Sequence, residues 1–471
     1  MSRGRLSCDI RAFHESVTGS CMLLVVHFPD GSTKSFLVDC GLYQEKEYAE
    51  LSKTLPFETG EVDFVLVTHN HVDHIGRLPL LVKNGYNSSI YCTSDTAKLL
   101  PLSLSDSWRV LNNLAKNTRT NPLYSESDVG CTLKKIHPCC YNEPIQVSDN
   151  ISATFFKNGH LPGAAVILVQ ISYPEYESIN LLFSGDYKKD NMFLDVPELP
   201  QWVLDLPLTL VVESTYGTMD SSEIKETFKD NVSRYIKNGG TVVTPVFSLG
   251  RAQEILYVLK CMQNEGLISR DVPIFFDGNL AQQYTRLYVK RDIEIKDEMV
   301  DFIPPNATWL TRVTRMPVLK NDETKIIITT SGMGTYGPAQ LYIPEYISRP
   351  GSLIQFTGFT AEGTLGHRLK FADKGESITI GGLAKIKQAD VKNTTEFSAH
   401  AKADELVEFI SKFNNIKLLL VNHGEPDVKV AFSKRLLKEG VNAKDIAVLG
   451  SGYFYRLGPY GLCKQIPTEF K

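Results

Sequence analysis

Four residues with metal-binding side chains, His69, His71, Asp73 and His74, lie within six positions directly after the apolar run Asp63–Val67. In an extended segment residues two apart project to the same side, so His69 and His71 point alike, and a tight turn after Val72 brings Asp73 and His74 round to meet them. A lone histidine is ordinarily a satisfied core or surface residue; this cluster at a strand end reads as a cation site. His160, in Asn158-Gly159-His160-Leu161-Pro162-Gly163, and Asp186, in Phe183-Ser184-Gly185-Asp186-Tyr187, each occupy a glycine-containing turn at a strand edge, where a polar group can leave the core and face a cleft. Together they complete the ligand count for two zinc ions, and Asp186, with two oxygens, is the natural bridge. Imidazoles and carboxylates without a thiolate favour Zn²⁺, with Mn²⁺ a workable substitute. Asp39 closes the apolar run Phe36-Leu37-Val38. It either begins the turn before Gly41 or accepts a hydrogen bond from a ligand histidine or from water at the metals.

These residues need a rigid frame, and the chain is long enough to build one. It has 471 residues, 42% of them apolar and 22% charged, with a formal charge of −4. That composition excludes a disordered chain, a collagen and a disulfide scaffold, and the length predicts two or more domains. The mild acidity gives no direct argument for a nucleic-acid partner. Nine cysteines without CxxC spacing read as free thiols, no signal-peptide pattern opens the chain, and no apolar run reaches membrane-spanning length, so a cytoplasmic protein without membrane contact is expected.

Short Val/Ile/Leu-rich runs alternate with amphipathic stretches, which is the pattern of an α/β protein. Strands are expected at Met22–His27, Phe36–Val38, Asp63–Val67, Ala164–Ile171, Leu181–Phe183, Leu208–Val212, Ile326–Thr329, Leu353–Phe356 and Lys417–Val421. Residues Glu223–Lys237 predict a helix, with Asp220 and Glu223 suiting its start and Gly239-Gly240 its end. Many strands and few long helices are expected before about residue 200; from 218 to 396, regular strand–helix alternation predicts a doubly wound parallel unit. Residues 105–150 suggest an elaboration with no assigned function.

The set Asp39, His69, His71, Asp73, His74, His160 and Asp186 resembles the metallo-β-lactamase superfamily. Val211-Val212-Glu213-Ser214-Thr215-Tyr216-Gly217, Phe397-Ser398-Ala399-His400-Ala401 and Leu420-Val421-Asn422-His423-Gly424-Glu425 resemble three successive signatures of its β-CASP branch, whose members are nucleases. Pro245–Glu254, Thr330-Ser331-Gly332-Met333 and Ala361-Glu362-Gly363-Thr364-Leu365-Gly366 are similar to further stretches of that branch. The match runs through nearly the whole chain.

The resemblance implies an αββα metallo-β-lactamase sandwich (1–217 and 397–471) with an inserted doubly wound α/β β-CASP domain (218–396). It implies that His423 joins the ligands, one zinc taking His69, His71, His160 and Asp186 and the other Asp73, His74, Asp186 and His423. A histidine at 423, where DNA-directed members carry a small apolar residue, implies RNA. His400 is then the candidate general acid, oriented by Glu213, although the two also read as a helix-start residue and a turn-capping carboxylate. Asp73 and Asp39 belong to the same catalytic set. Asp404 stands two residues further from His400 than the branch's usual carboxylate, which puts its orienting role in doubt. Ser331, Gly332, Arg251 and Ser398 are candidate substrate contacts, with Arg312, Arg315 and Arg368 as further phosphate contacts; surface salt bridges and a plain turn are the competing readings.

The expected activity is zinc-dependent hydrolysis of single-stranded RNA, endonucleolytic rather than 5′–3′ exonucleolytic, leaving 5′-phosphate and 3′-hydroxyl ends. A small-molecule lactamase or glyoxalase would have no need of Glu213, His400 or the insertion, and a non-catalytic scaffold would have lost ligands. The reading leaves room for a homodimer.

Overall fold

The computed structural model describes residues 5–44, 48–221, 226–358, 360 and 363–467. The chain divides into two compact units, Met1–Ser221 with Ala399–Lys471, and Ser222–Ser398.

In the first unit, alternating side chains build two sheets that share a core. An eight-stranded sheet runs in the order Gly461–Pro467, Tyr453–Gly458, Ser7–Ala12, Met22–His27, Thr33–Val38, Phe64–Leu66, Ser89–Thr93, Ile136–Cys139. A seven-stranded sheet runs Ile446–Val448, Ile416–Val421, Leu208–Val212, Tyr176–Phe183, Ala165–Tyr173, Ile151–Lys157, Ile145–Ser148. Period-two alternation sends Phe64 and Leu66 inward, against Phe155, Ile167, Phe183 and Leu420 of the other sheet, while Val65 points outward. The outward face meets Leu78, Leu81, Leu100 and Leu104 of two helices, and the outer face of the second sheet meets Leu406, Phe409, Ile410 and Phe432 of two others. Two sheets between two helical layers make the αββα sandwich.

The topology carries the ligand-bearing turns to one place. Thr33–Val38, Phe64–Leu66 and Ser89–Thr93 are parallel neighbours, so Asp39 and His69 emerge at the same, carboxyl, end. In the other sheet Tyr176–Phe183, Leu208–Val212 and Ile416–Val421 are parallel neighbours, so Asp186, Glu213 and His423 emerge together although the whole second unit intervenes between the last two in sequence. Carboxyl ends of parallel strands are where α/β proteins place their ligands, because the following loops are free to turn side chains outward.

The second unit is a six-stranded sheet, Ala307–Trp309, Ile274–Asp277, Lys325–Thr329, Thr241–Pro245, Leu353–Phe356, Asp390–Asn393, in which every pairing is parallel. Val243, Ile327, Ile354 and Phe356 pack under Tyr342, Ile343, Tyr346 and Leu369 of its helices.

One expectation about helices is corrected. The helix expected over 223–237 spans Phe228–Lys237, because Thr227 and Asp230 form a reciprocal capping box that sets its start; Glu223 and Ile224 lie outside the described residues, as do Ala361 and Glu362. The stretch expected to hold few long helices holds one among its described residues, Ser94–Thr118, of 25 residues. Its buried Leu99, Leu100, Ser103, Leu104 and Ser107 keep a helical period that Pro101, on the exposed side, interrupts only in sequence.

Candidate metal centre

The turn that carries His69 to His74 is latched by the backbone of the neighbouring strand end. Cys40 N–H donates to His74 O (2.7 Å), Leu42 N–H to Val72 O (3.0 Å) and Gly41 N–H to Ser20 O (2.8 Å). A Cβ on Gly41 would stand 1.5 Å from Asp73 O, so only glycine admits this approach. Asp39 takes a left-handed backbone, φ 61°, and turns its carboxylate into the site.

Around it the imidazoles fall into two groups. The first is His69, His71, His160 and Asp186, the second Asp73, His74 and His423; within each group one donor atom per residue lies within 4.8 Å of the others. Asp186 reaches both. Its Oδ2 is 3.5 Å from His69 Nε2 and 3.6 Å from His160 Nε2, and its Oδ1 is 3.3 Å from His74 Nε2 and 3.4 Å from His423 Nδ1. His160 Nε2 faces His71 Nδ1 at 3.0 Å, and His74 Nε2 faces His423 Nε2 at 3.2 Å.

The far nitrogens of His74, His160 and His69 are already engaged. His74 Nδ1 lies 2.7 Å from Asp39 Oδ2, and His160 Nδ1 lies 2.9 Å from Ala399 O. His69 Nδ1 lies 3.0 Å from Thr68 Oγ1, which itself donates to Asp39 Oδ2 at 2.8 Å. Such partners fix the tautomer and leave the Nε2 lone pair facing the cluster. Thr215 Oγ1, 3.2 Å from His423 Nδ1, has the same kind of place beside the last histidine.

A cation fits this donor set. His69 Nε2 and Asp186 Oδ1 are buried without a hydrogen-bond partner, which costs stability unless something positive binds there. A tetrahedral zinc with bonds of about 2.0–2.1 Å has donor–donor edges of about 3.3 Å, the scale of the separations above. Burial pushes the imidazoles of His69 and His160 well down and that of His71 to about 4, so they are neutral and offer lone pairs at pH 7. Burial opposes the charge on Asp186, but His423, His74 and His69 more than offset it and hold its carboxyl well below the usual range.

Beside the cluster stands a different pair. His400 Nδ1 is 2.9 Å from Glu213 Oε2 and its Nε2 is 3.7 Å from Asp186 Oδ2. Glu213 is 2% exposed and also accepts the Tyr187 N–H, whereas the His400 side chain is 20% exposed. Burial would lower the His400 pKa, but Glu213 and then Asp186 more than compensate and push it up to about 9.

The candidate substrate contacts of the second unit have other occupations. Arg251 is buried, donates through Nε to Glu254 (2.8 Å) and through Nη1 to Thr357 O, and lies over the Phe397 ring; these internal partners correct the expectation of a free phosphate contact. Gly332 is a packing position, since a Cβ there would meet the Phe247 ring at 2.9 Å. Two backbone N–H groups of the turn are already used, Ser331 N–H on Tyr336 O and Gly334 N–H on Ser331 O. Arg315 forms a fork with Asp277 (2.9 and 2.7 Å), Arg368 donates to Thr379 O (3.4 Å), Arg312 is exposed, and Ser398 N–H donates to Thr395 O. Asp404 accepts from Ser221, not from His400. Thr68, Thr215 and the Ala399 carbonyl were not among the expected residues. Thr68 adjoins His69 and Ala399 adjoins His400, while Thr215 lies two residues past Glu213; that nearness is the sequence signal they carry.

Residues 30–195 match a metallo-β-lactamase superfamily domain, 252–369 a β-CASP domain, and 386–445 a Zn-dependent metallo-hydrolase RNA specificity domain. The chain belongs to the β-CASP family of metallo-β-lactamase-fold proteins. Among its relatives, a ribonuclease of Thermus thermophilus is 30% identical over 93% of this chain and 97% of its own length. An RNase J-like protein of Methanocaldococcus jannaschii is 31% identical over 85% of this chain and 90% of its own. An endoribonuclease of Schizosaccharomyces pombe is 29% identical over 83% of this chain and 51% of its own. No helix among the described residues is long and apolar enough to cross a membrane.

Proposed function

We propose that this β-CASP protein is a zinc-dependent endoribonuclease that hydrolyses phosphodiester bonds of single-stranded RNA and leaves 5′-phosphate and 3′-hydroxyl ends. The observation that carries the reading is the His400–Glu213 pair standing beside a two-group donor cluster bridged by Asp186. A small-molecule hydrolase needs the cluster but not the pair.

His69, His71, His160 and Asp186 would hold one Zn²⁺, and Asp73, His74, Asp186 and His423 the other. Bound there, the two ions supply Lewis-acid neutralisation of a phosphate and lower the pKa of water to the neutral range. The chain's own residues do the rest. Glu213 fixes His400 Nδ1–H, so Nε2 of the imidazolium is the nitrogen left to give a proton. With its pKa raised to about 9, His400 carries that proton at pH 7, and its partial exposure lets it reach the departing 3′-oxygen. Asp39 would hold His74 in register, and the charge of Glu213 stabilises the imidazolium until it is spent.

The test is a zinc-supplemented digestion of circular and linear single-stranded RNA, with DNA alongside. Linearised circles support endonucleolysis; degradation of linear RNA with intact circles makes the enzyme an exonuclease; hydrolysis of a lactam or thioester with RNA untouched overturns the nuclease reading. Asp73→Asn, which removes a ligand of the second group, should lose metal by elemental analysis. Retention of two zinc ions would reject that ligand set.

A further inference from the structure

Asn70 stands between His69 and His71 and is no ligand, yet it is 3% exposed and its Nδ2 donates to Ser103 Oγ at 2.6 Å. Ser103, also buried, belongs to the Ser94–Thr118 helix. The opposite side of the first donor group grips the same helix. Gly163, three residues past His160, gives its carbonyl to Thr93 Oγ1 at 2.6 Å and to Thr96 Oγ1 at 3.0 Å. Its φ is +85°, and a Cβ there would stand 2.5 Å from Thr96 N, so this turn lies directly on the first turn of the helix. Thr96 and Ser103 are seven residues apart, two helical turns on one face and a rise of about 10 Å.

We propose that the Ser94–Thr118 helix is a strut that sets the spacing between the His69/His71 turn and the His160 turn, with the Asn70–Ser103 hydrogen bond as its adjustable contact. The inference rests on the reading of the cluster as a metal centre. An α-helix hardly stretches, so two turns clamped to one face of it cannot drift apart. The quantity they set is the approach of His160 Nε2 to His71 Nδ1, 3.0 Å, from two loops 89 residues apart in sequence. The strand ends share the work, since Ala165 N–H donates to Thr68 O at 3.0 Å, but His71 and His160 lie three and five residues away from that bond. Asn70 and Ser103 are positioning residues: they touch neither metal nor substrate, and they act through His69 and His71.

Asn70→Ala, Ser103→Ala, Ser103→Thr and the double alanine variant of the full-length protein test this, with Zn²⁺ affinity read by chelator competition and thermal unfolding read on the metal-free proteins. Each alanine variant should hold zinc about ten-fold or more weakly, the usual scale for a lost partner of a metal ligand, with KM for RNA unchanged and metal-free unfolding lowered only by the loss of one buried hydrogen bond. The double variant should be no weaker than the weaker single, and Ser103→Thr, which keeps the hydroxyl, should bind as the parent does. Parental affinity in the alanine variants, additive losses in the double, or a threonine variant as weak as alanine overturns the strut. Should Ser103→Ala fail to fold, Asn70→Ala, which alters only a turn, decides by the same readout. A parent protein that binds no zinc overturns the metal reading and the strut with it, so the two failures are distinct.

Discussion

His400 Nδ1 and Glu213 Oε2 meet at 2.9 Å across 187 residues of intervening sequence. The pair exists because Glu213 ends a strand at the carboxyl edge of the seven-stranded sheet, while Ala401 N–H, beside His400, donates to Tyr187 O. If His400 delivers the leaving-group proton, His400→Ala should cut RNA about 10²–10⁴-fold more slowly, the range of a lost general acid, and keep its zinc. Glu213→Gln should lose part of the same factor, since the neutral amide orients the ring but no longer stabilises its charge. Elemental analysis beside single-turnover cleavage checks both; unchanged cleavage by His400→Ala rejects the acid role.

Asp39 touches no atom of the first donor group, but it accepts from His74 Nδ1, from Thr68 Oγ1 and, through Oδ1, from Thr68 N–H at 2.8 Å. Asp39→Asn keeps the size and removes the charge that holds His74 in one tautomer. Metal affinity should fall about 10–100-fold, with greater loss from the His74 group than from the His69 group. Stepwise zinc titration should show one site weakened before the other; equal weakening of both would refute the assignment.

Arg77 is 1% exposed and spends its guanidinium on main-chain carbonyls of three separate loops, with Nε on Gly41 O, Nη1 on Leu51 O (3.2 Å) and Thr54 O (3.3 Å), and Nη2 on Gly19 O (3.4 Å). Its plane also lies over the Tyr43 ring, 4.9 Å from the centroid. Arg77→Met keeps much of the volume but leaves the buried carbonyls of Gly41 and Gly19 without this donor, a cost of about 1–3 kcal/mol for each group that water cannot reach. The variant should unfold at a clearly lower denaturant midpoint. Because Gly41 abuts Asp73, it should also release zinc faster.

How much of this was readable beforehand depends on whether a residue acts through its neighbours in sequence or in space. The donor cluster was legible because metal-binding chemistry restricts its members to a few residue types and the HxHxDH turn compresses four of them into a strand end. The α/β class was legible from apolar runs alternating with amphipathic stretches, whereas the αββα sandwich followed from the family resemblance: Phe64, Val65 and Leu66 are all apolar and do not announce which side each faces. Arg251 misled because an arginine beside a glycine turn reads the same whether its donors face solvent or, as here, Glu254 and Thr357. The Ser94–Thr118 helix is interrupted in sequence by Pro101, and the Asn70–Ser103 contact spans 33 residues, so local spacing announces neither. The start of the Phe228–Lys237 helix was legible in Thr227 and Asp230 but was sought a turn too early.

Lys370 gives a pH dependence independent of the metal centre. Its Nζ donates to Gly358 O at 3.2 Å and lies 5.5 Å from the Phe356 ring centroid, without a carboxylate partner among its described contacts, and burial lowers its pKa from 10.5 to about 8. The folded protein therefore releases this proton at lower pH than the unfolded chain does. Below about pH 8 both states carry the charge and the folded state bears the full cost of burying it. Between about 8 and 10.5 the unfolded chain holds more protons, so stability rises with pH there, and above 10.5 the cost is gone. Lys370→Met removes the buried charge at every pH. The variant should be more stable than the parent at pH 7, and its advantage should shrink as pH climbs through that window. Denaturant midpoints of the second unit at pH 7, 8.5 and 10 check it: an advantage constant across the three would mean that the gain comes from packing and not from the proton.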